Sequence, residues 1–337
     1  MRYLVLQYGQ ENDRMILREL TDLPNVDTVV WHKEYASLFK RGMRKIHTNS
    51  KLNSMFSVPG RDLWHKDVLE ATGQVDCLII LAYCLMEIEE SFLYKMRKNN
   101  PHLKIVLLLW DSMATHSTMM ESVRNKILEY KWDMVVSFDR DDCVEYGFVW
   151  LGLHYYSPAD VSIPATVSSD IFFAGAATEG RKELLEKICQ YIKIDGGKCD
   201  FKLVLSENWL KRIKGRILKE EPRYSPVGVC MTKRNLSYKE ILSSVVHSNC
   251  ILELVQPGQR MQTLRYFEAV VYNKKLLTNN LYIKELPFYD ERYMRVFNSI
   301  EDIDVEWLQR REMIDYGYNG EFSPTHILKI IEENIKA

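Results

Sequence analysis

The sequence predicts an α/β protein in which two doubly wound parallel sheets follow each other along the chain. Strand-like and helix-like segments alternate from the first residues to about Asn280, which is typical of this fold class. Several strand-like segments are continuous apolar runs, such as IVLLLW at 105–110, as expected for strands covered by helices on both faces. A chain of 337 residues is also long enough for two separate cores.

The first half alternates regularly between the two kinds of segment. Strands are predicted at Tyr3–Gln7, Asp27–Trp31, Cys77–Leu81, Lys104–Trp110, Met134–Phe138 and Phe148–Leu151. Helices are predicted at Asp13–Leu20, Asp62–Ala71, Glu87–Arg97, Met119–Tyr130 and Asp141–Tyr146. Because a helix between two strands returns the chain to the same edge of the sheet, this order favours parallel pairing.

The alternation restarts after a segment rich in Pro and Ser that follows Gly152, which we interpret as a connector between domains. Strands are predicted at 171–175, 201–205, 250–255 and 275–279, and helices at 181–192, 238–246, 263–272 and 324–336. In the last helix, Ser323 is the expected N-cap and Pro324 the first helical residue. We therefore predict Rossmann-like domains at 1–156 and 157–337, with a terminal helix that can pack back on the first domain.

The composition argues against several classes of protein. Lys and Arg total 45 against 46 Asp and Glu, and this balance is not that of a dedicated nucleic-acid binder. The 7 cysteines include no C-x-x-C pair, which argues against a thiolate zinc site and a disulfide framework. No apolar run reaches the ~18 residues that span a bilayer. We expect a cytoplasmic protein that touches a membrane at most peripherally.

The strongest functional signal is the segment 251–280, where an apolar strand passes through a Pro-Gly loop into a helix. Ligands of open α/β sheets bind beyond the carboxyl ends of strands, and a helix start there offers N–H groups to a phosphate. Gly258 allows close backbone approach, and Gln259, Thr263 and Arg265 offer donors. Glu268 could accept hydrogen bonds from both hydroxyls of a ribose. Alternatively, Arg265 and Glu268 form an ordinary helical ion pair.

Two other junctions between a strand and a helix carry weaker signals. In one, a strand runs into Gly175, and a short loop with Thr178 precedes a helix that starts at Arg181. This loop suits a phosphate but matches neither the dinucleotide nor the P-loop fingerprint, and any such junction can look similar. In the other, a polar loop carries Lys233 and Arg234, which could contact a phosphate or a base edge. The alternative is a solvated turn.

The first half offers candidates for acid–base chemistry. Asp111 ends an apolar strand, at the edge of the sheet where ligands bind, and could act as a general base with His116 as a second polar group. The alternatives are a helix-capping carboxylate and an ordinary loop histidine. Tyr8, Gln10 and Asp13 follow the first strand and are expected near the same edge.

Metal-ligand spacing is nearly absent. Acidic triplets occur at 139–141 (DRD) and 302–304 (DID), and the first could hold a divalent ion together with a diphosphate. The same pattern is what a helix-capping turn needs, which is the interpretation we favour. We therefore predict no metal site.

Two basic segments interleave Lys and Arg with apolar side chains. They lie at 39–51, which contains Lys40, Arg41, Arg44, Lys45 and Lys51, and at 209–219. Such a segment can rest on an anionic bilayer surface, and the alternative is a solvated basic helix face.

Taken together, these segments resemble bacterial glycosyltransferases of the GT-B architecture, and more narrowly those of lipopolysaccharide and capsular-polysaccharide biosynthesis. The resemblance rests mainly on the pattern Q-P-G-Q…T-x-R-x-x-E-A in the second half. The matching residues are Gln256, Pro257, Gly258, Gln259, Thr263, Arg265, Glu268 and Ala269. The segments 134–156 and 172–185 also resemble corresponding stretches of that family.

The resemblance implies that the second half holds a nucleoside-diphosphate sugar and the first half an acceptor hydroxyl. Glu268 would then bind the ribose, and the phosphates would lie near Gly175, Arg181, the loop Gly258–Thr263 and Arg265. Pro257 and Arg260 would be further substrate-binding residues. Asp111 would be the base if the reaction inverts the anomeric centre. The nucleotide-sugar is a substrate, so no cofactor is implied, and transfer without a metal is expected.

Two departures from the family pattern leave parts of this interpretation open. Met261 stands where relatives often have glycine, and Arg260 stands where many retaining members carry the first of two glutamates. Inverting and retaining chemistry therefore both remain open. The alternative functions are a nucleotide-sugar epimerase of the same fold and a non-catalytic nucleotide-binding subunit.

Overall fold

The chain divides into a first unit, formed by Met1–Ser157 and Phe322–Ala337, and a second unit, Pro158–Glu321. The structure is a computed structural model that describes residues 1–9, 11–32, 37–47, 64–115, 118–162, 164, 166–178, 180–205, 222–255 and 262–335. The chain passes from one unit to the other within the Pro- and Ser-rich segment that follows Gly152.

The first unit contains a fully parallel 6-stranded sheet with the order β2-β1-β3-β4-β5-β6. Its strands are β1 (Tyr3–Gln7), β2 (Val26–Val30), β3 (Cys77–Leu81), β4 (Lys104–Leu108), β5 (Met134–Ser137) and β6 (Val149–Trp150). Its helices are α1 (Glu11–Ile16), α2 (Arg18–Thr21), α3 (Leu38–His47), α4 (Lys66–Thr72), α5 (Glu90–Asn99), α6 (Thr118–Glu129) and α7 (Arg140–Tyr146). A 3-10 helix, Ala82–Met86, follows β3.

The second unit contains a 7-stranded sheet with the order β13-β12-β11-β7-β8-β10-β9. Its strands are β7 (Ser169–Ala176), β8 (Cys199–Val204), β9 (Arg223–Tyr224), β10 (Cys230–Thr232), β11 (Ser248–Glu253), β12 (Lys275–Thr278) and β13 (Met294–Val296). Its helices are α8 (Arg181–Ile194), α9 (Tyr238–Val246), α10 (Leu264–Val271) and α11 (Val305–Gln309), with 3-10 helices at Leu281–Glu285 and Ile300–Asp302. Among the described strands of this sheet, only the short edge strand β9 is antiparallel to its neighbour.

The parallel strands of the second unit follow the Rossmann order 3-2-1-4-5-6, with β7 as the first strand and β11 as the fourth. The first unit has the other common doubly wound order, in which the first strand lies between the second and the third. The prediction of an α/β protein with two Rossmann-like parallel sheets and a C-terminal helix is therefore confirmed. The strand order also fixes two switch points, between β1 and β3 and between β7 and β11, where ligands of such folds bind.

Apolar strands need helices on both faces of a sheet, because their side chains point alternately to the two faces. Every residue of β1 and β3 is buried, and all six residues of β11 are buried. β1 and β3 have the predicted bounds because their apolar runs are unbroken. The predicted helix 13–20 is instead two short helices interrupted at Leu17. The strands β9, β10 and β13 were not predicted, since two or three residues are too few to show a period.

The terminal helix α12 (His326–Asn334) belongs to the first unit. The hydroxyl of Tyr3 donates to Glu332 at 2.7 Å and links this helix to β1. The predicted N-cap at Ser323 is wrong, because the helix begins two residues after Pro324 and Thr325 stands at the N-cap. The Ser323 hydroxyl instead donates to Glu19 at 2.6 Å, so a tertiary contact takes the side chain that the local pattern assigned to the cap.

The core of the second unit is closed by Trp307, which is 1% exposed. Its ring NH donates to the carbonyl of Arg292 at 2.8 Å, and the ammonium of the fully buried Lys275 lies 5.1 Å from its ring centre. We predict that Trp307→Ala lowers the free energy of unfolding of this unit by ~3–5 kcal/mol, because a large cavity is left. Urea unfolding followed by circular dichroism measures the change, and Tyr224→Ala, at an exposed edge position, is the matched control. Equal shifts in both variants would contradict the prediction.

Candidate functional site

The switch point of the second unit lies between the adjacent strands β7 and β11. β7 ends at Ala176 and β11 ends at Glu253, and the chain then continues toward α8 and α10. Because both carboxyl ends lie at the same edge of the sheet, residues that follow them are brought together although they are far apart in sequence.

Arg181 joins these two strand ends. Its Nη1 donates to the carbonyl of Ala176 at 2.9 Å, and its Nη2 donates to the carbonyl of Leu254 at 3.2 Å. Burial lowers the pKa of the guanidinium from its usual value. Within the described residues, no carboxylate lies at ion-pair distance from Arg181, so its positive charge is not neutralised by a described side chain.

Two glycines shape the space around Arg181. Gly175 leaves room for its neighbours, since a Cβ there would lie 2.9 Å from the ring of Phe173 and 3.7 Å from Nη1 of Arg181. Gly180 is the N-cap of α8 and has a φ of +72°, a backbone conformation that residues with a Cβ rarely adopt. The carbonyl of Thr178 accepts from the backbone N–H of Arg181 at 3.2 Å, which forms the turn into the helix. The guanidinium belongs to the first residue of α8, and a cation together with a helix start is a combination that suits an anion.

A buried carboxylate fixes the start of α10. Glu253, the last residue of β11, is buried and accepts from the hydroxyls of Thr263 and Thr278, the latter at 2.5 Å. Thr263 is the N-cap of α10 and accepts from the N–H of Arg265 at 3.1 Å. Burial raises the pKa of Glu253. Sequence reasoning missed this residue, although an acid inside the apolar run ILELV is a detectable signal.

Glu268 is fully buried and pairs with Arg265 through its Oε2. The helical ion pair considered from the spacing is therefore present. Its second oxygen, Oε1, is buried and has no hydrogen-bond partner among the described residues. Burial raises the pKa of Glu268, and the guanidinium of Arg265 opposes this shift. The side chain of Arg265 is 13% exposed and its guanidinium carbon lies 5.7 Å from the ring centre of Phe172, so Arg265 covers the carboxylate.

Other candidates in the second unit lie elsewhere or outside the described residues. Pro257, Gly258, Gln259 and Arg260 all lie outside them. Arg234 follows β10, which is separated from β7 by β8. Both of its Nη atoms donate to Glu240, at 2.7 and 2.6 Å, and Glu240 completes a capping box with Ser237. The structure thus uses Arg234 to hold the start of α9. Binding roles for Arg234 and its neighbour Lys233 stay predictions.

In the first unit, Asp111 lies three residues beyond β4, at the carboxyl edge of the sheet. Burial raises the pKa of Asp111 to about 6. Among the described residues, none forms a hydrogen bond or ion pair with its carboxylate. The next residues are held in place by Asp142, which accepts from the Ser112 hydroxyl at 3.3 Å and from the Met113 N–H at 2.9 Å. The candidates His116 and Gln10 lie outside the described residues.

The acidic triplets cap helices. Asp139 is the N-cap of α7 and accepts from the N–H groups of Asp141 and Asp142 at 2.9 and 3.4 Å. Asp304 caps α11 by accepting from the N–H of Trp307 at 2.8 Å. Within the ranges that the structure describes, no three His, Cys, Asp or Glu side chains are grouped as metal ligands.

Helix α3 contains the first part of the basic segment 39–51. The other basic segment, 209–219, lies outside the described residues. Phe39 is 76% exposed and Ile46, seven residues on, is 49% exposed. Arg44 is buried and its Nη2 donates to Glu87 at 2.8 Å. Its charge is therefore paired inside the first unit and is not presented on an outer surface. In the described part of the chain, no helix is long and apolar enough to cross a bilayer.

Comparisons with known proteins find no matching family model and no matching curated protein. Among solved structures, an α-glucosyltransferase in complex with UDP and a 13-mer DNA containing a HMU base aligns with a TM-score of 0.48 and 12% identity, over 82% of this chain and 79% of that one. The trehalose-6-phosphate synthase OtsA aligns with a TM-score of 0.45 and 12% identity, over 99% and 96%. TarM aligns with a TM-score of 0.41 and 12% identity, over 69% of this chain but only 47% of its own. Similarity at this level establishes neither a family nor an activity, which must be argued from the residues themselves.

Proposed function

We propose that the chain is a glycosyltransferase that moves a sugar from a nucleoside-diphosphate donor to an acceptor hydroxyl. The second unit binds the donor and the first unit binds the acceptor. The observation that carries this proposal is the carboxyl edge of the second sheet, where the helices that follow β7 and β11 supply three groups. Arg181, which has no carboxylate partner among the described residues, stands at the start of α8, and Glu268 of α10 is a buried carboxylate whose Oε1 has no hydrogen-bond partner among them. These three kinds of group suit a diphosphate attached to a ribose, because the cation and the helix start attract the anion and the carboxylate accepts from the sugar hydroxyls.

The diphosphate binds Arg181 and the first N–H groups of α8. Negative charge builds on its leaving oxygen as the bond to the sugar breaks, and a cation with fixed N–H dipoles stabilises that charge without reorganisation. This supports our expectation that transfer needs no metal. Gly175 keeps the approach to the guanidinium open, because a Cβ there would press on the ring of Phe173.

The ribose binds Glu268 when the side chain of Arg265 turns aside. A buried carboxylate oxygen without a donor costs ~1–3 kcal/mol, and a ribose hydroxyl that donates to Oε1 would recover this energy. Glu253 acts as a positioning residue, because its bond to Thr263 fixes the start of α10 and with it Arg265 and Glu268.

Asp111 acts as the general base of an inverting transfer. It accepts the proton of the acceptor hydroxyl while that oxygen forms a bond to the anomeric carbon. The bond between that carbon and the diphosphate oxygen breaks, and its electron pair leaves with the diphosphate. A base with a pKa of about 6 is ionised at neutral pH and still accepts a proton readily.

The test is a donor screen by mass spectrometry, with UDP-, GDP-, dTDP- and CMP-sugars offered with and without a panel of acceptors, in EDTA and in Mg²⁺. The proposal expects acceptor-dependent transfer from one class of donor, unaffected by EDTA. Conversion of the donor without acceptor would favour the epimerase. Nucleotide binding without any turnover would favour the non-catalytic subunit, and no binding at all would remove the donor site.

The resemblance to lipopolysaccharide and capsule glycosyltransferases supports a surface-glycan acceptor and a place at the inner face of the cell membrane. Helix α3 is the surface that we propose for this contact, because Phe39 and Ile46 are exposed on a helix with basic residues. We expect the double change Phe39→Ser and Ile46→Ser to reduce co-flotation with phosphatidylglycerol vesicles. Leu128→Ser, at a similarly exposed apolar position, is the control. A double variant that floats like wild type would contradict the proposal.

A further inference from the structure

A small cavity lies at the carboxyl edge of the first sheet. Its polar lining consists of Asp13, Tyr83 and Tyr155, and its apolar lining includes Leu17, Leu81 and Trp110. These residues end or follow β1, β3 and β4 or come from the segment that leads out of the first unit, so they meet at the edge where ligands of doubly wound sheets bind. We call this cavity the hydroxyl socket.

Two phenols in the socket have no hydrogen-bond partner in the described part of the chain. Tyr155 is fully buried, and its hydroxyl has no hydrogen-bond partner among the described residues. No described residue forms a hydrogen bond with the hydroxyl of Tyr83 either. A buried hydroxyl without a partner costs ~1–3 kcal/mol, so the fold keeps a donor here that its own described residues do not use.

Asp111 lies within electrostatic range of both phenols. Burial, followed by the charges of Asp111 and Asp13, raises the pKa of Tyr83, and the same three causes raise that of Tyr155. The phenols therefore stay protonated and act as donors at neutral pH. The carboxylates act as acceptors, so the same small region offers both halves of the pattern that a hydroxyl group needs.

Size and charge together limit what can enter. The cavity volume is about 10 Å³, the room that one water molecule or one hydroxyl group needs. Within the described residues, no Lys, Arg or His lines it, whereas two carboxylates are close. A phosphate is too large and would be repelled. An ammonium group has no acceptor oxygen for the phenols, and the apolar lining matches the C–H faces of a sugar ring.

We propose that the hydroxyl socket binds one hydroxyl group of an uncharged acceptor sugar, either on the ring or at the end of its hydroxymethyl arm, next to the hydroxyl that Asp111 deprotonates. This inference rests on the proposed function and adds the class of the acceptor. The acceptor carries no phosphate or carboxylate on the ring that reacts. Tyr155 is a specificity-determining residue that donates to the acceptor and takes no part in the proton transfer.

The test compares binding of methyl glycosides of glucose, galactose, mannose and N-acetylglucosamine with their 6-phosphates, by saturation-transfer NMR and titration of the full chain. We expect at least one neutral glycoside to bind and its phosphate to bind at least 10-fold more weakly. Tyr155→Phe should weaken the neutral ligand about 3- to 10-fold, the range for one hydrogen bond. Tyr94→Phe, an exposed tyrosine, should change nothing.

Two further readouts separate recognition from structure. One monodeoxy analogue should bind wild type and Tyr155→Phe equally, because it lacks the hydroxyl that Tyr155 holds. The Tm of Tyr155→Phe should stay equal or rise, since no described partner is lost. The inference would be overturned if the sugar phosphates bound more tightly than the neutral glycosides, or if Tyr155→Phe weakened the binding of every deoxy analogue. A Tm of Tyr155→Phe below that of wild type would also overturn it. If nucleotides bind but no neutral glycoside does, the socket is refuted while the donor site stands, and if neither binds, both fail.

Discussion

Asp111→Asn is expected to reduce kcat by ~10²- to 10⁴-fold and to leave the affinity for the nucleotide donor unchanged. The amide has the same shape as the carboxylate but cannot accept the proton of the acceptor hydroxyl. Asp27→Asn is the matched control, because Asp27 lies in β2 and, among the described residues, its carboxylate forms only an exposed ion pair with Arg2. Steady-state rates with the donor found in the screen, together with calorimetric Kd values, measure both effects.

The pH dependence gives an independent check on the same residue. Because burial raises the pKa of Asp111 to about 6, the base is protonated below that value, and the rate should fall as the pH drops through 6. The ionised form is disfavoured in the folded chain, so ionisation lowers stability as the pH rises from 4 to 6. Asp111→Asn removes this effect, and its Tm should exceed that of wild type at pH 7.5 but not at pH 4. If Asp111→Asn left kcat unchanged, or if the rate of wild type did not fall below pH 6, Asp111 would not be the base. Either result would favour a retaining reaction.

Arg181→Met is expected to weaken the binding of nucleoside diphosphates by ~10- to 100-fold, which corresponds to the loss of charged hydrogen bonds to one anionic group. Methionine keeps the length of the side chain and removes its charge. The loss should be confined to the diphosphates, and the affinity for the parent nucleoside should not change. Calorimetry with both ligands measures this difference.

The control is Arg292→Met, which removes an exposed arginine that pairs with Asp290 just before β13, at the amino edge of the same sheet. Glu268→Gln gives the complementary pattern, since a loss of ribose contacts should weaken nucleoside and diphosphate alike. A 2′,3′-dideoxynucleoside diphosphate should not distinguish Glu268→Gln from wild type. If Arg181→Met weakens the nucleoside as much as the diphosphate, the assignment of the phosphates to this strand edge is wrong.

Much of the fold could be predicted because it depends on local patterns. The runs YLVLQ and CLIIL have the bounds of β1 and β3, since a short run that is apolar, or apolar up to its last residue, is typical of a strand covered by helices on both faces. The two switch points could not be predicted in this way, because they depend on the order of the strands within each sheet and the alternation along the chain does not determine that order. The prediction failed where a strand is too short to show a period, as in β9, β10 and β13. It also failed where a distant residue takes a side chain from its local role, as Glu19 takes the hydroxyl of Ser323 from the helix cap.

The candidate site divides in the same way. The Arg265–Glu268 pair could be predicted from a spacing of three on a helix, and it is present. Glu253 was missed because its partners Thr263 and Thr278 lie 10 and 25 residues away. Only the folded chain brings them to Glu253, Thr278 by strand pairing and Thr263 at the start of α10. Tyr155 was assigned to a connector, yet it is fully buried and lines the hydroxyl socket.

The sequence by itself determined the α/β class, the parallel sheets and the strand ends at which polar residues gather, because apolar periodicity and helix-start chemistry act within a few residues. The tertiary structure alone decided which polar groups have partners. Arg234 is held by Glu240, whereas among the described residues Arg181 donates only to the carbonyls of Ala176 and Leu254, the second of which is 73 residues away in sequence. Burial and distant contacts set the charge and the free donors of a side chain, and these depend on the whole fold.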